Sequence, residues 1–479
     1  MFTWVGMFDG WFSTMTGIVY LLMVVTTIVV VILDNRNPVK TLSWVLILTF
    51  LPLVGLILYY YFGRDVRKEK LISKKGYVHL TKYPMAEFQQ QQSFTSLENH
   101  HQAMRFFYHV NHALPFEGNK ITTYTSGKEM LQALLEAIAS AKHHIHMEFY
   151  IFEDDDIGRS VRDALIKKAK EGVEVRFLYD DVGSWDLPNA FVETMREEGI
   201  EVRGFLEVRF PLFTSKVNYR NHRKITVIDG RIGFVGGMNI AQRYMDGVSW
   251  GKWRDVHMAI EGKAVYGLQT AFLTDWYAVD RSLITSSVYF PDMPNLGNAV
   301  AQIVTSDPIG EWRDMMQGLL IVITTARKYL YIQTPYLLPT EPILWALKTA
   351  ALSGVDVRIM IPARADSTIT HLGSLSYLSG LMEAGVKIYL YEKGFLHSKL
   401  WVCDDNISTV GSTNMDFRSF EHNFEVNAFM YDCESAITLK NIFLSDQKDA
   451  LRLSPKHWNK RPWYQKVAES FIRLFAPLL

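Results

Sequence analysis

Two short stretches hold the residues best suited to chemistry. The segment NYRNHRKITVIDG (218–230) contains His222, Lys224 and Asp229, and FLHSKLWVCDD (395–405) contains His397, Lys399 and Asp404 at the same internal spacing, 175 residues later. A single histidine on a strand is ordinarily a packing or surface residue. Here the whole pattern recurs, including Gly237 and Asn239 after the first histidine and Ser412 and Asn414 after the second, each asparagine 17 residues past its histidine. Two imidazoles, two ammonium groups and two amides around one cavity suit a phosphodiester. A neutral imidazole can attack phosphorus and form a covalent phosphohistidine. A second one, as imidazolium, can protonate the departing alkoxide. Lys224, Lys399, Asn239 and Asn414 can then offset charge growing on the other phosphate oxygens. Lysine is a poor metal ligand at neutral pH, so neither a metal nor another cofactor is expected.

These groups need strands and turns to position them. Side chains two apart on a strand share a face, so each His-x-Lys pair points into one cavity. HRKITVI and RIGFVGG read as strands around Asp229-Gly230, a strong hairpin signal. A hairpin centred there sets His222 opposite Gly237, and one centred on Asp404-Asp405 sets His397 opposite Ser412. A small residue facing each histidine leaves room for a ligand. Asp229 and Asp404 complete the catalytic motifs but fall at the turns, where they hold the shape of the site. A carboxylate is needed to orient each imidazole. Asp255 in WGKWRDVHM and Glu425 in HNFEVNAF lie 33 and 28 residues past the histidines of their own copies. Asp180 and Asp181, at a strand end, are left unassigned between pocket lining and helix capping.

Other stretches repeat as well. AIASAKHHIHMEFYIF is echoed by VITTARKYLYIQTPYL, AKEGVEVRFLYD by ALSGVDVRIMIP, and MREEGIEVRGFL by LMEAGVKIYLYE, at offsets of 185, 182 and 186. Helical and strand patterns alternate, with glycine before several of the strands. The expected architecture is two related α/β units.

The N-terminus is a membrane device. Gly10–Leu33 is uncharged, and so is Thr41–Gly63. Each could cross a hydrocarbon core of about 30 Å, which takes roughly 20 helical residues. The first run lacks a basic lead-in, is too long for a signal-peptide core and is followed at once by a second run. Arg64, Arg67, Lys68, Lys70, Lys74 and Lys75 follow the second run, against Arg36 and Lys40 in the connecting loop. That asymmetry favours a multi-pass cell-membrane protein with its large C-terminal part in the cytoplasm. The closing WNKRPWYQKVAESFIRLFAPLL mixes aromatic and basic residues, and reads equally as an interfacial helix or a packing helix.

Composition narrows the partners. Fifty basic and fifty acidic residues give zero formal charge, which argues against a protein living on nucleic-acid phosphates. Cys403 and Cys433 stand alone, so no disulfide framework or zinc site is indicated.

The chain resembles the phospholipase D superfamily, and more narrowly bacterial cardiolipin synthase. The resemblance rests on the paired HxKxxxxD motifs, VLILTFLPLVGLILYYYFGR, FLYDDVGSW, NYRNHRKITVIDGRIGFVGGMNI, WRDVH, IQTPYLLP and GSTNMDFRSFEHNFEVN. It implies two pseudo-symmetric phospholipase D-like domains, each a mixed sheet flanked by helices, after two N-terminal transmembrane helices. It also implies phosphatidyl transfer between two phosphatidylglycerols, giving cardiolipin and glycerol, with anionic membrane lipids as partners. Either histidine could be the nucleophile, His222 being slightly favoured. The nearest alternative is a phospholipase D or a phosphatidylserine synthase, which shares the chemistry and differs in the acceptor. A nuclease of the superfamily is more remote. The expected partition is an anchor over 1–75 with spans near 12–33 and 41–63, a covering linker over 76–120, and phospholipase D-like domains over 121–290 and 291–479. Oligomeric state is left open.

Overall fold

The computed structural model describes residues 2–33, 38–59, 102–207, 219–310 and 312–476. Two compact units result, an N-terminal helical one and a large α/β body. In the first, a helix spans Phe2–Leu33. Thr14–Leu33 is the one helix among the described residues long and apolar enough to cross a membrane. The second expected span differs. It forms two shorter helices, Pro38–Phe50 and Pro52–Leu58. The break falls at Leu51, which precedes proline and leaves helical geometry at φ −130°, ψ 59°. Residues 60–63 and the basic cluster Arg64–Lys75 lie outside the described residues.

The α/β body is built on one continuous mixed sheet. Its first half runs, in spatial order, Glu201–Phe205, Glu174–Asp180, His144–Phe149, Lys224–Ile228, Ile232–Gly236, His257–Glu261. The second half repeats that order: Lys387–Tyr391, Asp356–Pro362, Tyr329–Gln333, Leu400–Cys403, Ile407–Gly411, Asn423–Met430. Pro115–Tyr124 and Ala299–Ser306 pair antiparallel between them and join the halves. Parallel pairing within the outer strands follows from helical crossovers, and antiparallel pairing within the hairpins from tight turns.

Matching helices cover each half. Gly127–Ser140, Asp156–Lys170 and Asn189–Glu197 bury Met130, Leu134, Val161, Leu165 and Phe191 against the first half. Asp314–Thr325, Glu341–Leu352 and Thr368–Glu383 bury Leu319, Leu347 and Leu378 against the second. A further core spans both halves, with Leu268, Phe272 and Trp276 from one and Leu439 and Phe443 from the other. The two domains read from sequence are therefore halves of one body.

The expected linker over 76–120 also needs correction. Residues 76–101 lie outside the described residues, but Gln102–Asn111 is a helix that buries Ala103 and Phe107 in the second half's core. Pro115–Tyr124 is a central strand. Its alternation is hidden by an irregularity between Phe116 and Asn119, where Gly118 takes φ +76°. One part of the strand pairs with each half, so no single period runs through it.

Candidate active site

Each histidine sits on the other half of the molecule. Arg220–Asn221 pairs parallel with Asn423–Phe424, and the His222 N–H donates to the Phe424 carbonyl at 2.9 Å. The next residue is Glu425, whose two carboxylate oxygens each lie 3.1 Å from His222 Nδ1. The arrangement is mirrored. Gly394–Leu396 pairs parallel with Lys252–Arg254, and the His397 N–H donates to the Arg254 carbonyl at 2.7 Å. Asp255 follows, and its Oδ2 is 2.7 Å from His397 Nδ1. Sequence position assigned each carboxylate to the histidine of its own copy; the structure crosses them. The reason is strand pairing: the backbone contact that seats each histidine comes from the opposite half, and the adjacent residue there supplies the carboxylate. With Nδ1 held by the carboxylate, Nε2 of each ring is the nitrogen left for chemistry, and that of His397 lies 2.9 Å from Lys399 Nζ.

The hairpins shift by one residue from the expected register. Ile228 pairs with Ile232 and Cys403 with Ile407, so three residues, not two, form each turn. Asp229 and Gly230 take φ +54° and +65°, and Asp404 and Asp405 take +53° and +56°. Continued to the histidines, the register sets Met238 and Thr413, not Gly237 and Ser412, across from them. Gly237 and Ser412 make room for the carboxylates. A Cβ on Gly237 would collide with Asp255 Oδ1. The Ser412 hydroxyl donates to Glu425 Oε2.

Asp229 and Asp404 lie away from the chemistry. Asp229 accepts from the backbone N–H groups of Lys142, His143 and His144 at 2.8–2.9 Å. Asp404 accepts from Arg327, Lys328 and Tyr329 at 2.6–2.8 Å. Each carboxylate thus ties its hairpin to the start of the neighbouring strand.

Lys224 and Lys399 are fully buried, and His222 and His397 are nearly so. Lys224 Nζ donates to the His222 carbonyl at 2.6 Å, and Lys399 Nζ lies 2.9 Å from His397 Nε2. The two lysines and two histidines share one electrostatic field. Burial holds His397 well below the usual histidine range, and Lys399, Lys224 and His222 push it further down. Burial brings His222 down to about 4, Glu425 opposing. Lys399 is lowered to about 8 by burial, against Asp255 and Glu425, and Lys224 is lowered well below its ordinary value by burial. Burial works to raise Glu425, yet His222, Lys224 and Ser412 hold it below its ordinary range. Both imidazoles are therefore neutral near pH 7, and an anion entering beside them would restore their capacity to carry a proton.

The two asparagines have different surroundings. Asn239 is engaged by the protein: its Oδ1 accepts from the Ile151 N–H at 3.0 Å and its amide donates to the Tyr244 hydroxyl. Asn414 is buried, and its Oδ1 has no hydrogen-bond partner among the described residues.

Sequence reasoning missed a buried scaffold under His222. Asp180 accepts from the N–H groups of Val182, Gly183 and Asn221 at 3.1, 2.8 and 2.8 Å, so it fixes the residue before the histidine. Asn221 donates to Glu148, and Arg223 pairs with Asp275 and donates to the Glu425 carbonyl at 3.1 Å. Burial, reinforced by Asp275, raises Glu148 well above the carboxylate range. The available signal was Asn-His-Arg-Lys, where polar residues alternate on both faces of an otherwise apolar strand region.

The family described as cardiolipin synthase, PLD-like domain, matches residues 134–276 and 319–447. A cardiolipin synthase of Halalkalibacterium halodurans is 40% identical over 98% of this chain and 95% of its own. The chain belongs to the cardiolipin synthase family. The first matched segment of this family member carries His222, Lys224 and Asp255, and the second carries His397, Lys399 and Glu425. The phospholipase D-nuclease N-terminal family matches residues 21–64. The major cardiolipin synthase of Bacillus subtilis is 37% identical over 98% of this chain and 99% of its own. A crystal structure of phosphatidylserine synthase from Haemophilus influenzae shares the fold, with TM-score 0.60 at 15% identity, over 79% of this chain and 98% of that one.

Proposed function

We propose that this chain is a phosphatidyltransferase that makes cardiolipin from two phosphatidylglycerols. The observation that carries the reading is the crossed site: two histidines, each braced by a carboxylate from the opposite half, with two buried lysines beside them. Nε2 of one histidine bonds to the phosphorus of the first lipid while the P–O bond to its terminal glycerol breaks. The other histidine gives its proton to the departing alkoxide, and glycerol leaves. That same histidine then takes the proton from the terminal hydroxyl of a second phosphatidylglycerol. The hydroxyl oxygen bonds to phosphorus, the P–N bond breaks, and the enzyme is restored. Lys224 and Lys399 offset charge on the phosphate oxygens. Burial of the reacting groups favours a lipid hydroxyl over water as acceptor.

Membrane association supports the same reading. The apolar helix Thr14–Leu33 serves as an anchor, and the basic residues after position 63 favour a cytoplasmic body. The helix Trp463–Arg473 has its polarity inverted for a packing helix. Trp463 and Phe471 are 75% and 57% exposed, whereas Glu469 is buried and paired with Arg461 at 2.8 Å. With Lys466 and Arg473 on the same helix, though Arg473 packs over the Tyr377 ring at 4.5 Å, the exposed aromatics suit the headgroup region of an anionic bilayer.

Purified full-length protein given labelled phosphatidylglycerol should yield a diphosphatidyl product and free glycerol. Phosphatidic acid as the sole product would mark a hydrolase and defeat the reading.

A further inference from the structure

The pseudo-symmetry breaks at one pair of arginines. Arg243 and Arg418 occupy matching places, each four residues past the asparagine of its copy and on a five-residue helix, Gln242–Asp246 and Phe417–Glu421. Arg243 is ion-paired with Glu153. Its guanidinium lies 5.7 Å from the Tyr244 ring and 6.0 Å from the Trp253 ring, and those rings stand 6.1 and 5.2 Å from His397. Glu153 is placed by its N–H, which donates to the Ile240 carbonyl at 3.1 Å. In the second half the residue making the matching bond, to the Met415 carbonyl at 2.9 Å, is Leu338. Arg418 therefore lacks the carboxylate that neutralises its counterpart. Among the described residues its side chain makes no hydrogen bond and no ion pair, although its charge acts on Asp416 two residues before it.

The neighbouring Tyr150 is also open. Its ring meets His222 edge-on at 4.9 Å, and Lys224 Nζ lies 5.2 Å from the ring centre. Its hydroxyl has no hydrogen-bond partner among the described residues, although the residue is half-buried. Arg243 lies beside the rings that meet His397, so the matching place of Arg418 is on the His222 side, where Tyr150 lies. Burial and then Asp180 raise Tyr150, and Arg418 opposes them. On the His397 side the corresponding polar groups are satisfied: Arg243 by Glu153, and Tyr244 by Asn239.

Transfer between two phosphatidylglycerols requires two phosphodiesters in the site at once. The reacting one is covered by Lys224 and Lys399. The acceptor's phosphate is held one glycerol away, beside the reacting phosphorus, and it brings a second negative charge into a mostly buried place. An unpaired guanidinium and a phenol O–H, both donors, match such an anion. We propose that Arg418 and Tyr150 bind the phosphate of the acceptor lipid, and so select an anionic lipid alcohol over water or a neutral alcohol. This inference rests on the transferase reading above.

The test is a partition experiment on the full-length protein in mixed micelles, with labelled phosphatidylglycerol as donor and ethanol as competing neutral acceptor. Arg418→Gln should lower the ratio of cardiolipin to phosphatidylethanol by about tenfold, the worth of one charge-assisted contact. Arg418→Lys should recover part of the ratio, and Tyr150→Phe should lower it by less. Arg243→Gln, whose native charge is already paired, should leave the ratio unchanged. Equal losses of both products in Arg418→Gln would mean a structural role and overturn the inference, as would an unchanged ratio. Wild-type protein that makes no cardiolipin at all would instead defeat the transferase reading itself.

Discussion

His222 and His397 sit in seats built to one plan from opposite halves, yet the seats differ in detail. Glu425 reaches Nδ1 of His222 with two oxygens at 3.1 Å and gives one of them to Ser412, whereas Asp255 reaches Nδ1 of His397 with a single oxygen at 2.7 Å. The shorter acid goes with Gly237, which leaves space for it, and the longer one with a serine that holds it. Both lysines donate to the backbone carbonyl of their own histidine, and Lys399 alone also lies against the imidazole ring, within 2.9 Å of both ring nitrogens of His397. A duplicated scaffold has thus been tuned at single residues, as a reaction needing one nucleophile and one acid requires. Arg418 and Arg243 extend the same divergence to the rim.

The comparison can be broken most severely at the histidines. His222→Ala and His397→Ala should each cut turnover by about 10⁴-fold or more. Protein labelled from phosphatidylglycerol and quenched in alkaline denaturant, where the P–N bond survives, should show a phosphohistidine in only one of the two variants, which names the nucleophile. Equal, near-wild-type rates in both would end the covalent route.

The crossed carboxylates come next. Asp255→Asn and Glu425→Gln should each lower kcat by roughly 10²–10⁴-fold with the fold intact, since the tautomer and not the packing is disturbed. The discriminating feature is which partner is affected. Asp255→Asn should change the NMR titration of His397, and Glu425→Gln that of His222. The reverse pattern would contradict the crossed geometry.

The pH profile separates the lysines. With Lys399 lowered to about 8, its charge is present below that pH and lost above it. The kcat/KM profile, which reports the free enzyme, should fall on the basic side near 8. Lys399→Arg keeps the charge and should move that limb upward, at reduced overall rate. On the acid side, protonation of His222 near 4 should remove a neutral imidazole and lower the rate.

The smallest effects belong to the hairpin aspartates. Asp229→Ala and Asp404→Ala each strip one carboxylate from three backbone N–H groups. Each should cost about 1.5–3 kcal/mol in stability, read as a lower denaturation midpoint. Residual folded protein should retain most of its turnover. Loss of turnover at unchanged stability would give these aspartates a chemical role.

The sequence made the repeated strands, the paired motifs and the turn aspartates legible, because each is a local pattern: a period, a spacing or a turn dipeptide. It did not reveal who faces whom. Asp255 and Glu425 were recognisable as orienting carboxylates, but their partners depend on parallel contacts between Arg220–Asn221 and Asn423–Phe424 and between Gly394–Leu396 and Lys252–Arg254. Such contacts are two or three residues long and leave no periodic trace. The hairpin register slipped because a three-residue turn and a two-residue turn look alike around Asp229-Gly230. Pro115–Tyr124 escaped notice because Gly118 divides it between two partners. The unpaired Arg418 was invisible for another reason: its openness depends on Leu338 standing where the other copy has Glu153.

The exchange of strand ends between the halves has a consequence for inheritance. A single copy of the repeat, folded alone, would present an imidazole with no acid behind it and an acid with no imidazole before it. A one-copy ancestor could have worked only by embracing a twin. Fusion into one polypeptide then freed each side to drift separately, which is how one arginine could keep its counterion while the other lost it.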